Sequence, residues 1–174
     1  MEQYLKFIMP AIQKNTNLED AVDKTLNYFS NYNPVMDDPD ELLINPCSDM
    51  DFLLEQLLSK ASKNKKYLPI FDLLHKKHPQ NVKIVVCQAE AWKKWDDYEF
   101  IKILSNAITL LHQQGDKHRK LPEYYAWLAE VYQELDEPEQ ALSACNMAIS
   151  HFNPDYYKDT SGYEKAMEIK KYLE

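Results

Sequence analysis

Two histidines three residues apart, His75 and His78 in "HKKH", are the first candidates for chemistry in this chain. On a helix that spacing places both imidazoles on neighbouring turns, where they could chelate a metal ion. Neither a carboxylate nor a thiol joins them on that face, so two imidazoles alone make a poor site. His112, His118 and His151 fall near expected helix ends, where a cation complements the dipole. Cys87 and Cys145 fall on expected packing faces, and a thiol in apolar surroundings behaves as a small, inert hydrophobe. The acid pairs Asp96/Asp97 and Asp136/Glu137 sit in expected turns, where capping accounts for them without general acid–base work. With Gly115 and Gly162 as its only glycines, the chain cannot form a glycine-rich phosphate loop. These residues predict no catalytic set, no metal site and no cofactor site, and therefore a protein that is not an enzyme.

The elements that would position such residues are helices. Only 2 of the 174 residues are Gly, which leaves little supply for the left-handed positions of tight hairpins. Leu, Ala, Glu, Lys and Gln dominate the long segments, so an all-α fold is expected. The net charge of −8 argues against nucleic-acid and anionic-membrane partners, because phosphate affinity depends on Lys and Arg. Three basic runs, Lys60–Lys66 ("KASKNKK"), His75–His78 and Lys117–Lys120, are read as solvated surface, with a phosphate or acidic-peptide contact as the alternative. Three widely spaced cysteines form no disulfide framework and fit a reducing cytosol. The first residues, "MEQYLKFIMPAIQKN", carry Glu2 and an apolar stretch interrupted by Lys6, unlike a signal peptide. No apolar run approaches transmembrane length, so a cytoplasmic location is expected.

Start signals divide the chain into helices. A helix over residues 2–14 is expected to bend or break at Pro10, and Thr16 with Glu19 forms a capping box opening a helix to about Ser30. The proline- and acid-rich stretch from Asn31 to Asp49 reads as a hinge, with Asp38–Pro39 able to start one short turn. The expected division is therefore an N-terminal helical segment with its hinge over 1–48, and a helical domain over 49–174. In the latter, helices are expected from Ser48 to about Ser62, Tyr67 to Lys77, Val82 to Lys94, and from an Asp96/Glu99 cap to about His112. Two more run from Pro122 to near Leu135 and from Pro138 to near His151. Last, a Ser161/Glu164 capping box opens Gly162 to Leu173. Short connectors make neighbouring helices antiparallel.

Between Tyr124 and Pro154, small residues recur among large aromatics on both sides of the break at Asp136–Glu137–Pro138. The order Leu128–Ala129, Tyr132, Ala141, Cys145, Ala148 and Pro154 resembles one tetratricopeptide repeat, with Tyr125 at the aromatic position near its start. Ala stands beside Leu128 where Gly is commoner, Cys145 replaces an aromatic, and Pro154 comes one residue late. Upstream, Cys87, Ala91 and Ala107 fall at matching places and "WDDYE" resembles the family's turn, but Gln88 and Phe100 stand where small residues are expected. The resemblance covers about Asp49 to Pro154 and is specific in its last third. It implies antiparallel helix pairs stacked as a short right-handed superhelix, closed by a capping helix from Ser161 that buries Tyr163, Met167 and Leu173.

That resemblance also implies a concave groove lined by the first helix of each pair. Phe52, Gln56 and Ser59, then Val85, Ala89 and Trp92, then Ala126, Glu130 and Gln133 occupy the groove-facing positions. Trp95 and Trp127 are read as packing residues. The groove positions lack the Lys, Arg and Asn that grip a C-terminal carboxylate, so it suits a helix or extended segment with apolar anchors and some positive charge. The implied function is a non-catalytic adaptor, scaffold or regulator that binds another protein or peptide. Two alternatives stay open: a small chaperone of the bacterial secretion type, and a self-associating subunit. In the second, the apolar "YLKFIMPAI" would fill a groove of its own chain or of a neighbour in a homo-oligomer.

Overall fold

A computed structural model describes residues 6–14, 16–30, 47–114, 120–155 and 160–174. All regular structure among these residues is helical, as the composition predicts, with nine α-helices, one 3-10 turn and no strand. The chain divides into two compact units, residues 1–95 and 96–174. The hinge expected between Asn31 and Asp49, with its Asp38–Pro39 turn, lies almost wholly outside the described residues.

The first unit holds α1 (Ile8–Lys14), α2 (Leu18–Ser30), α3 (Cys47–Ala61), the 3-10 turn Lys65–Tyr67, α4 (Leu68–Lys77) and α5 (Val82–Lys93). Pro10 does not break α1, because it stands in the first turn, where the missing N–H has no intrahelical acceptor to lose. Asn17, rather than Thr16, caps α2: its side-chain oxygen accepts from the Asp20 amide at 3.2 Å. Asn64 and Asn81 cap the 3-10 turn and α5 in the same way. α5 packs on both α3 and α4, and α2 packs on α4. Leu53, Leu54, Leu57, Ile70, Phe71, Leu74 and Ile84 fill the space between them.

The N-terminal helices belong to this same core, so the division expected at residue 48 separates residues that pack together. Ile8 and Val22 are buried in the cluster, and Met9, Ile12 and Leu18 pack against it. The Tyr67 hydroxyl donates to Met9 Sδ at 3.3 Å, and Lys77 and Lys76 of α4 pair with Asp23 and Glu19 of α2. The apolar surplus from Ile8 to Ile12 is thus absorbed by its own unit.

The second unit holds α6 (Asp97–Gln114), α7 (Leu121–Glu134), α8 (Pro138–His151) and α9 (Ser161–Leu173). Asp96 accepts from the Glu99 amide at 3.1 Å, forming the cap its position predicts for α6. α7 and α8 form the closest pair in this unit, and α9 packs on both. Every small residue that marked this stretch is buried: Ala129, Ala141, Cys145 and Ala148 show essentially no surface. The buried stripe of α9 is Gly162, Ala166 and Ile169, not the expected Tyr163 and Met167. Tyr163 is half-buried and stacks on Phe152 at 4.4 Å, Met167 is 44% exposed, and Leu173 is half-buried. The reason is steric. A Cβ on Gly162 would stand 2.6 Å from Glu123 Cα and N, so only glycine lets the start of α9 meet the first turn of α7. The cap of α9 also differs by one position: Thr160 precedes the helix and its hydroxyl donates to the Glu164 carboxylate at 2.7 Å.

Candidate binding surface

The residues assigned to a groove meet different fates. Gln56 of α3 is half-buried and Ser59 is exposed, while the Phe52 side chain lies outside the described residues. On α5, Val85 and Ala89 are fully buried, so neither offers side-chain surface to a ligand. Trp92 is half-buried against the first unit's core, with Lys65 Nζ 5.6 Å from its ring centroid. On α7, Ala126 is 1% exposed, Glu130 is engaged by Lys165 of α9 at 3.4 Å, and Gln133 is half-buried. Of the proposed lining, Gln56, Ser59 and Trp92 of the first unit and Gln133 of the second keep surface, Trp92 with Lys65 over its ring.

Sequence patterning missed a polar bridge in the first unit. Gln88, the residue standing where a repeat carries a small one, is 5% exposed and spans α5 to α4. Its amide Nε2 donates to Asp72 Oδ1 at 2.6 Å, which turns its carbonyl oxygen towards His75 Nδ1 at 2.8 Å. A carboxylate can only accept, so this orientation assigns the proton of that contact to His75 Nδ1. Its departure from the repeat pattern was the available signal, since a long polar side chain on a packing face must find partners.

A second unread feature fastens α5 to the end of α3. The Trp95 indole N–H donates to the Ala61 carbonyl at 3.0 Å, and Lys94 Nζ donates to the Ser62 carbonyl at 2.8 Å. The Ala61 carbonyl ends the last turn of α3, which lacks intrahelical donors, and the Ser62 carbonyl follows it directly. The expected packing role of Trp95 is thus accompanied by a capping one. Trp127 contacts Tyr124 at 5.4 Å between ring centroids.

In the second unit, α6, α7 and α8 bring His112, Tyr125 and His151 together. His112 Nε2 lies 3.0 Å from the Tyr125 hydroxyl, and His151 stacks on Tyr125 at 5.6 Å. The histidine rings stand 5.1 Å apart. His118 lies outside the described residues. Among the described residues no group of three or more His, Cys, Asp or Glu side chains is arranged to hold a metal ion. Burial pushes the Cys145 thiol above its ordinary range, against a smaller opposing pull from Lys170. Burial, then the Glu137 carboxylate, raises the Tyr132 phenol in the same direction.

No helix among the described residues is long and apolar enough to cross a membrane. The chain matches no protein-family model, no curated protein and no solved structure.

Proposed function

We propose that this chain is a non-catalytic protein-interaction module of the tetratricopeptide type, working in the cytoplasm on another protein or a peptide. One observation carries the reading. α7 and α8 pack through buried Ala129, Ala141 and Ala148, and α9 lies against both, the neighbour relation that stacked helix pairs require. In the first unit, α5 packs on both α3 and α4. A packing plan of that kind devotes its interior to helix contacts and leaves helix faces for a partner. The binding surface is narrower than the groove pattern implies and centres on Gln56 of α3 and Trp92 of α5, two helices that pack side by side.

The test is site-specific photo-crosslinking with the full chain. A photoreactive amino acid at Gln56 is expected to give one discrete adduct with a protein of the source-cell lysate, and the same group at Glu168 on α9 none. Adducts from both positions, or from neither, remove the assignment. A chain that crosslinks only to a second copy of itself is a self-associating subunit instead.

A further inference from the structure

The fold gathers lysines that are far apart in sequence. Lys60, Lys63, Lys65 and Lys66 follow one another through the end of α3 and the 3-10 turn, and Lys94 comes from the end of α5. The 2.8 Å bond from Lys94 to the Ser62 carbonyl and the bond from Trp95 to Ala61 hold the two stretches together. Lys65 lies over the Trp92 ring and Lys94 over the Trp95 ring, each 5.6 Å from the centroid. Five of the chain's 20 basic residues thus surround one helix end, on a protein whose net charge is −8.

Dipole compensation explains only part of this cluster. Lys94 bonds the Ser62 carbonyl directly after the end of α3, and one cation at that end meets the need. Lys63, Lys65 and Lys66 are exposed and Lys60 is half-buried, and none of the four pairs with a carboxylate among the described residues. Elsewhere in the same unit lysines do pair: Lys24 with Asp20, Lys76 with Glu19 and Lys77 with Asp23. Beneath the cluster the Trp92 indole N–H is buried without an acceptor, an unsatisfied donor at the same place.

We infer that this lysine cluster is a docking site for a short acidic segment, rich in Asp or Glu, of a partner protein. Three features select that chemistry over other polyanions. The tryptophan faces carry lysines and the Trp95 N–H is committed to Ala61, so neither ring is a stacking platform for bases or a wedge for lipid. All five cations are lysines, point charges without the planar fork that favours phosphate and nucleic acid. A membrane or a long nucleic acid would meet the acidic remainder of the surface, whereas a short peptide senses only charges within about one Debye length, ~8 Å in physiological salt. The site stands on this geometry alone and holds whether or not Gln56 and Trp92 contact a partner.

The experiment measures anisotropy of a fluorescein-labelled peptide of alternating Asp and Ser with the full chain at low ionic strength. Binding is expected, weakening steeply with salt. The double variant Lys63→Glu/Lys66→Glu should weaken it by about tenfold, since two exposed pairs are each reversed. Lys102→Glu/Lys171→Glu alters net charge equally on α6 and α9 and should leave affinity within about twofold. In a Trp127→Phe background the remaining tryptophan emission should shift on peptide addition, because lysines lie on both rings. Far-UV circular dichroism checks that each variant is folded. Equal loss in both double variants, or no binding at all, overturns the proposal. Tighter binding to a single-stranded oligonucleotide or to phosphatidylserine vesicles than to the peptide also overturns it.

Discussion

In α3 to α5 most fully buried positions are large, Leu53, Leu54, Leu57, Phe71, Leu74 and Ile84 with Ala61 and Ala89 among them, whereas across α7 to α9 most are small, including Ala129, Ala141, Ala148, Gly162 and Ala166. Both regions hold three helices with one packed on the other two. In the first, large side chains fill the space between axes, and polar devices fasten the helices: Gln88 between α4 and α5, Trp95 and Lys94 at the end of α3. In the second, small residues let backbones approach until a single Cβ at Gly162 would collide. The difference is between a core sensitive to lost volume and one sensitive to added volume.

The largest expected effect breaks the first region. Phe71 shows no surface, and Phe71→Ala should cost about 3–5 kcal/mol, because the space it leaves is walled by leucines that relax only in part. Urea unfolding would measure it. A loss below about 1 kcal/mol would mean that this core is as collapsible as a liquid, contrary to its packing.

Next comes the opposite insult to the second region. Gly162→Ala gains helix propensity worth about 1 kcal/mol, yet its Cβ meets backbone atoms of Glu123 that no rotamer change can clear. The clash should win, with a net loss of about 1–3 kcal/mol. Hydrogen exchange should accelerate first in α9. A stabilised Gly162→Ala protein would show that α9 shifts freely on α7, and the contrast between the regions would fail.

A smaller effect tests the polar fastening. Gln88→Ala removes the bridge between Asp72 and His75, of which Asp72 is exposed and can turn to water. The expected cost is therefore only about 1–2 kcal/mol, with thermal unfolding as the measure. Gln88→Leu, which keeps volume but leaves His75 Nδ1 unpaired, should be no better.

These regions also differ in how much of them the sequence disclosed. Helix type and most boundaries follow from caps and prolines that act locally: Asp96 caps α6, and Pro138 starts α8. The buried alanines of α7 and α8 were legible because small residues at helical spacing have few other uses. The stripe of α9 was missed because hydrophobicity pointed to Tyr163 and Met167, while closeness of approach selected Gly162 and Ala166. The groove positions were the least legible. Val85, Ala89 and Ala126 are apolar residues of ordinary size, and nothing local says whether such a face meets water or another helix. Gln88, the lysine cluster, and the meeting of His112, Tyr125 and His151 depend on which helix ends the fold brings together.

The smallest expected effect concerns the turn that joins α7 to α8, where the sequence departs from the commonest helix ending. Asp136 has φ 58°, a left-handed conformation that glycine adopts without steric cost. Its amide donates to the Gln133 carbonyl at 3.1 Å, and the Glu137 amide donates to the Tyr132 carbonyl at 2.8 Å, the paired bonds of a Schellman ending. Asp136→Gly relieves backbone strain of about 1 kcal/mol but gives up an acid close to the start of α8, where a negative charge contributes about 0.3–1 kcal/mol. Strain outweighs the lost charge, so a net gain of about 0.5 kcal/mol is expected, rising with salt as the attraction between acid and helix dipole is screened. Asp136→Ala keeps the strain, loses the charge and should be the least stable of the three, with unfolding midpoints at low and high salt as the readout. If alanine matched glycine, left-handed strain would not govern this turn, and the close packing of α7 on α8 would be holding it unaided.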